Sequence, residues 1–270
     1  MEKIIKSLNS SGLKQALDAN NITFWSSFGR NPRGIISSDP DFFWSIANTP
    51  LYSYNGVLSY NLSEQEFRDR FKLFMEKFRE KEFPLTWWIN PNNQPGGVAE
   101  YLGQNGWKDE GFFPAMAAEL ENINLSSALP EGVIIRTASS KEERLLWTKI
   151  MFRGIGYSEK EITEAARIDS LLPSRVIEKQ KRLIGFLEGE PIATALLLPD
   201  SGVLGIFGVA TLPRARGRGI ATGMTRKAML KGKKLGFHVA TLVSTPLGGP
   251  VYDRLGFKKL FSYRFFSWNH

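Results

Sequence analysis

The chain has 270 residues, 42% hydrophobic and 23% charged, a globular composition that excludes wholesale disorder. It holds no cysteine and two histidines, His238 and His270, which excludes disulfides, thiolate metal sites, a cysteine nucleophile and a histidine metal cage. The net charge of +8 is uneven: residues 1–125 carry 12 Lys and Arg against 15 Asp and Glu (−3), and residues 126–270 carry 23 against 12 (+11), which points to an anionic ligand on the second part.

The opening Met1-Glu2-Lys3-Ile4-Ile5-Lys6 lacks the apolar run of a secretion signal. The longest apolar stretch, Ile192 to Leu198, is far short of the ~20 residues that span a bilayer. A soluble, cytoplasmic protein with no membrane partner is expected. Residues 64–81 read as a helix, 84–90 as a strand, 91–97 as a loop, 98–104 as a short helix and 107–120 as a strand after the Asn105-Gly106 turn. Trp25, Trp44, Trp87 and Trp88 crowd this first half and are expected in its core. The polar, aperiodic run at 121–132 reads as a linker, dividing the chain into domains at 1–125 and 126–270.

In the second half, residues 132–137 read as a strand. Ser139 or Ser140 caps a helix to about Phe152, and Ser158 caps a second, with Ile162, Ala165, Ala166 and Ile168 at helical spacing. Strands follow at 182–187, 191–198 and 203–212, the last interrupted by Gly205 and Gly208. A helix at 219–235 presents Ile220, Met224, Ala228 and Leu235 on one face and ends at Gly236. A strand at 237–244, a loop at 245–249, a short helix at 250–255 and a strand region at 257–268 complete the chain. Helix, strand, short helix, Gly-aromatic and strand occur in both halves, with Gly106-Trp107 matching Gly256-Phe257, so the α/β unit reads as duplicated.

The chemistry is concentrated in Pro213-Arg214-Ala215-Arg216-Gly217-Arg218-Gly219-Ile220-Ala221, a glycine-rich loop between a strand and a helix. Unpaired N–H groups in a helix's first turn and its partial positive charge favour an anion, and glycines admit it to the backbone. Arg214, Arg216 and Arg218 add positive charge. The loop lacks the Gly-Lys-Ser/Thr of nucleoside-triphosphate loops and the third glycine of the dinucleotide fingerprint.

Arg216-Gly217-Arg218-Gly219-Ile220-Ala221, the preceding strand ending in Pro213, and the downstream Tyr252-Asp253-Arg254-Leu255-Gly256-Phe257 together resemble the GCN5-related N-acetyltransferases. The resemblance covers residues 132–270. The first half resembles the family only in its later elements, lacks the Arg/Gly loop and has Leu102 where Tyr252 stands, so it reads as a degenerate copy that binds cofactor poorly or not at all. The resemblance implies an α/β (α+β) fold with a mixed, mostly antiparallel sheet flanked by helices, repeated as tandem domains. It further implies acetyl-CoA, or another acyl-CoA, as co-substrate, with no metal. Backbone groups of Val209, Ala210 and Thr211 would pair with the pantetheine arm, Gly217, Arg218, Gly219, Ile220, Ala221 and Thr222 would cradle the diphosphate, Thr245 would stand at the cleft mouth, and Tyr252 would serve as proton donor to the thiolate. The acceptor implied is a primary amine of a small molecule or peptide. No carboxylate lies on residues 203–212; Glu161 and Glu164 are candidate bases but also suit a solvent-facing helix surface, and His238 reads as structural. A non-catalytic CoA-sensing or nucleic-acid-binding module built on the basic half is the alternative, but no nucleic-acid recognition motif accompanies it.

Overall fold

Three helices begin with the same device. Ser63, Ser140 and Ser158 each accept a hydrogen bond from the backbone N–H three residues on, and Glu66, Glu143 and Glu161 reach back to the capping residue. Such a box satisfies two orphan donors, and loss of the serine costs about 1 kcal/mol. The helices so started are α2 (Glu64–Phe78), α4 (Lys141–Ile155) and α5 (Glu159–Ser170). The computed structural model describes residues 4–121, 123, 129–245 and 248–269. Most of the expected linker, the expected boundary at 125/126, Pro246, Leu247 and His270 lie outside them.

Contacts divide the chain into two units that do not follow one cut. One comprises Met1–Thr23 and Pro114–Leu260, the other Phe24–Phe113 and Phe261–His270. Neither unit is one continuous stretch of the sequence. The reason is strand pairing. β5 (Lys108–Glu119) places Ala115 to Glu119 antiparallel to β10 (Val239–Val243), while β11 (Lys258–Trp268) places Arg264 to Trp268 antiparallel to β4 (Leu85–Ile89). Each unit is completed by a strand from the other half of the sequence.

The larger unit is a mixed sheet in the order β5, β10, β9 (Val203–Thr211), β8 (Glu190–Asp200), β7 (Lys181–Leu187), β6 (Val133–Thr137). Only β10 and β9 run parallel. α7 (Ile220–Lys234) buries Ile220, Met224, Ala228, Met229 and Gly232 against Leu183, Leu197, Leu204 and Ile206. Leu235, expected on that face, caps the helix and is 53% exposed; the buried stripe leaves through Met229 and Gly232, whose Cα lies hard against Leu204. α4 covers the opposite face, where its Gly154 and Trp147 lie against Ala210 and Gly208. Beyond α5, the short helix α6 (Ser174–Lys179) leads into β7.

The smaller unit holds β1 (Ile35–Ile36), β2 (Phe42–Ile46), β3 (Asn55–Tyr60), β4 and β11 in that order, with β3 and β4 parallel. α2 presents Phe67, Phe71, Phe74 and Phe78 at helical spacing to Trp87, Val57 and Phe266, and α3 (Val98–Gln104) adds Val98 and Leu102. The expected core role holds for Trp87 and Trp88, both buried; Trp44 packs partly buried beside Phe74 and Phe78. α1 (Leu13–Ser26) lies in the larger unit as far as Thr23.

One buried ion pair stands out in the larger unit. Arg182 of β7 grips Asp169 of α5 with both guanidinium nitrogens, one at 2.9 Å, and also donates to Gln180 and Thr148. Breaking such a pair strands a buried charge and costs about 3–5 kcal/mol, whereas replacing both partners with apolar groups is often neutral. Asp169→Ala is thus expected to lower the urea midpoint sharply, and Asp169→Leu combined with Arg182→Met to recover most of the loss. A single variant as stable as the parent would contradict this.

Candidate active site

β9 and β10 are partners only at Leu204–Ala240 and Gly205–Thr241. Both strands continue beyond, β9 to Thr211 and β10 to Val243, each tied on its outer side to β8 or β5. The facing edges of the two strands therefore separate from Gly205 and Thr241 onward. Here β9 also changes register against β8, between Thr194 and Leu196, and Gly208 takes φ +54°. This is a β-bulge, which inserts a residue and re-aims the strand beyond it. Past the bulge, Val209 packs with the α7 side of the core, while Ala210 and Thr211 are buried. The Thr211 hydroxyl is buried without a hydrogen-bond partner.

The chain leaves β9 through a turn at Pro213–Ala215 and enters α7 through the glycine loop. Gly217 and Gly219 have φ of +77° and +75°, the left-handed region that favours glycine, and the space where a Cβ would stand is open at both. The backbone N–H groups of Gly217 through Thr222 find no acceptor among the described residues, and Gly219 caps α7 with no side-chain bond. The first turn has no acidic residue. α2, α4 and α5 close their N-termini with a glutamate; α7 leaves its own open, with Ile220 sunk in the core to hold it in place. Free amides and the helix dipole favour an anion at this end.

The three arginines of the loop differ. Arg216, though exposed, donates from Nη2 to Gly154 O at 2.8 Å and from Nε to Thr211 O at 3.3 Å, so it ties α4 to the end of β9. Arg214 stands 3.8 Å from Glu190, and Arg218 is exposed.

At the end of β10, Ser244 N–H donates to Pro114 O, and Ser244 Oγ donates to Thr245 O. The exposed Thr245 accepts from Gly248 N–H at Oγ1, 3.3 Å, and so closes the turn into α8 (Gly249–Asp253). Tyr252 on α8 is half-buried, edge-to-face with Phe257 at 5.8 Å, and a Cβ on Gly248 would meet its ring at 3.0 Å and Ser244 Oγ at 3.1 Å. The structure thus gathers Ser244, Thr245 and Tyr252 at the end of the strand that parts from β9. Burial pushes the Tyr252 hydroxyl up to about 12. The candidate bases are engaged elsewhere: Glu161 accepts from Ser158, and Glu164 pairs with Arg167 at 2.6 Å. His238 lies beside Lys6 and Glu121. Among the described residues, no group of His, Asp and Glu could hold a metal ion.

The smaller unit repeats the strand geometry and closes it. β3 and β4 are partners only at Gly56–Thr86 and Val57–Trp87. Past that point the chain itself takes the free edge of β3: Leu62 N–H donates to Gln94 O at 2.9 Å, Asn93 Nδ2 donates to Tyr60 O at 2.9 Å, and Asn61 bridges to Gln94. The helix that follows is α2, whose N-terminus Glu66 and Ser63 already satisfy. Leu102, in the place that Tyr252 takes in the order of elements, is fully buried.

The larger unit is thus a mixed α/β sheet that opens between two parallel strands and is followed by an uncapped glycine loop and helix. Residues 147–257 match the profile of the Acetyltransferase (GNAT) family. Among solved structures, a GCN5-related N-acetyltransferase from Kribbella flavida is similar over 93% of this chain and 95% of its own, at 18% identity and a TM-score of 0.68. One from Sphaerobacter thermophilus matches 89% of this chain and 81% of its own at 16% identity and a TM-score of 0.61. A tandem GNAT protein from the clavulanic acid biosynthesis pathway matches 99% and 98% at 12% identity and a TM-score of 0.59. No curated protein matches the chain. The chain therefore has a GNAT-like segment at 147–257 and shares the fold of tandem GNAT proteins. No helix among the described residues is long and apolar enough to cross a membrane.

Trp147, Gly154 and the Arg182–Asp169 pair escape a reading by motif. β7 opens on two adjacent cations, Lys181 and Arg182, and nothing in the sequence says that the second is buried or which residue pairs with it.

The position of Tyr252 can be checked by titration. The tyrosinate absorbance lost in Tyr252→Phe is expected to titrate near 12; a midpoint near the ordinary ~10 would show a solvated side chain. Because the folded value is raised, the stabilisation is complete below pH ~10 and disappears as pH rises through the folded value.

Proposed function

We propose that the chain is an acyl-CoA-dependent N-acyltransferase acting on a primary amine of a small molecule or peptide, with the cofactor bound by the larger unit. The run of free amides from Gly217 to Thr222, set where β9 and β10 part, carries this reading. Its residues suit the group: donors without acceptors, glycines with open space above them, and the orphan hydroxyl of Thr211 at the end of β9. Acetyl-CoA, when bound, supplies the acetyl group as a thioester.

Gly217, Arg218, Gly219, Ile220, Ala221 and Thr222 would hold the diphosphate through their N–H groups, with the α7 dipole behind them. Val209, Ala210 and Thr211 would offer a strand edge to the pantetheine arm. Thr245 would border the mouth of the cleft. The amine nitrogen attacks the thioester carbonyl directly in a ternary complex, the carbon–sulfur bond breaks, and one amine proton must leave while the sulfur gains one. Tyr252 would stand near that sulfur. Burial keeps this hydroxyl protonated before the reaction, so it would donate a hydrogen bond and then its proton to the departing sulfur, and regain a proton from water. With Glu161 and Glu164 engaged, the amine proton passes to water. The smaller unit, closed by its own Gln94 and Glu66, is read as binding no cofactor.

Calorimetry with acetyl-CoA is expected to give one site per chain. Gly219→Glu places a carboxylate among the amides in a strained backbone position and is expected to weaken binding at least about ten-fold, that is ~1.4 kcal/mol or more. Equal binding by parent and variant would remove the proposed cradle. Tyr252→Phe is expected to lower kcat about ten- to a hundred-fold while acetyl-CoA affinity changes little, in the range for one lost donor. Tight binding with no turnover on any amine acceptor would favour a CoA-sensing module instead.

A further inference from the structure

The bulge in β9 is held by a side chain on the opposite face from α7. At Gly208 there is no room: a Cβ would lie 2.5 Å from Trp147 Cη2 and 2.7 Å from its Cζ2. Trp147 Nε1 donates to Ala195 O at 3.0 Å, on β8 beside the register shift, and Thr194 Oγ1 donates to Gly208 O at 2.8 Å. The indole is itself pinned. It is buried, and the Arg182 guanidinium lies 5.0 Å from its ring, held there by Asp169 and Gln180. Two turns along α4, Gly154 brings the helix backbone against Ala210, and its carbonyl receives Arg216. A chain of contacts thus runs from Asp169 through Arg182 and Trp147 to Gly208.

We propose that Trp147 is a positioning residue: its indole fixes the Gly208 bulge and so sets the direction in which Val209, Ala210 and Thr211 present their backbone groups to the pantetheine arm. The inference rests on the acyl-CoA reading above and deepens it. A bulge needs an outside constraint to persist, because the regular ladder offers more hydrogen bonds. Trp147 supplies two constraints, a wall that only glycine can approach and a donor that engages the β8 carbonyl facing the extra residue. The diphosphate cradle lies beyond Pro213 and draws on neither.

That difference makes the test selective. Acetyl-CoA and 3′-phosphoadenosine 5′-diphosphate, which has the diphosphate but no pantetheine, are titrated calorimetrically into the parent, Trp147→Phe and Thr194→Val proteins. Trp147→Phe is expected to weaken acetyl-CoA about ten-fold, and Thr194→Val about three- to five-fold, the effect of a lost buried hydrogen bond. Both should bind the nucleotide diphosphate within about two-fold of the parent, the scatter expected when no contact changes. Unchanged acetyl-CoA affinity, or equal weakening of both ligands, in either variant would overturn the positioning role. Should Trp147→Phe not fold, Thr194→Val decides alone. A parent that binds neither ligand would instead defeat the acyl-CoA reading, whereas a parent that binds both with no selective loss in the variants defeats only this inference.

Discussion

Backbone N–H and C=O groups in a folded interior must find partners, and the larger unit is organised around a place where its own chain does not provide them. Two parallel strands, β9 and β10, part after two residue pairs while each stays bonded on its outer side. Directly beyond, a helix begins with amides that no serine, aspartate or glutamate caps. The fold tolerates both because a glycine loop reaches solvent and because Ile220, Met224 and Ala228 anchor the helix without help from its N-terminus. An anion with an extended tail is the ligand proposed for such a surface.

The smaller unit meets the same constraint internally. Its parallel pair also parts after two residues, yet Gln94 and Asn93 bond to the vacated edge of β3, and the following helix carries a complete capping box. Tyr60, Phe67, Phe71 and Trp87 pack ring against ring in its core. Two copies of one architecture thus differ in whether orphan groups are satisfied by protein, and that difference, more than overall charge, separates a candidate binding unit from a scaffold.

Local chemistry was legible in the sequence. The caps at Ser140 and Ser158 and the helix-ending Gly236 follow from local residue order, and the structure has all three, whereas the capping box of Ser63 and Glu66 was not read from the same kind of pattern. Non-local pairing was not legible. Nothing in Ala115-Met116-Ala117-Ala118-Glu119 says that its partner is β10, about 120 residues on, and so the two units could not be read from a linker. The first 63 residues gave no pattern because buried asparagines interrupt it: Asn20 and Asn55 are fully enclosed and bond to backbone carbonyls. Leu235 was misplaced for a related reason, since periodicity cannot show where a helix leaves its sheet.

Arg216 shows why a motif and a mechanism need separate arguments. In the sequence it is one of three cations around a glycine loop; in the fold it joins Gly154 to Thr211. Its charge is spent on two carbonyls at the ends of α4 and β9, where no anion need reach it. Holding those ends together keeps α4 against the strand beyond the bulge, so the residue serves the loop by fixing what precedes it. The amides of Gly217 to Thr222 then need no arginine directed among them, because a helix terminus supplies partial positive charge without the entropic cost of ordering a long side chain.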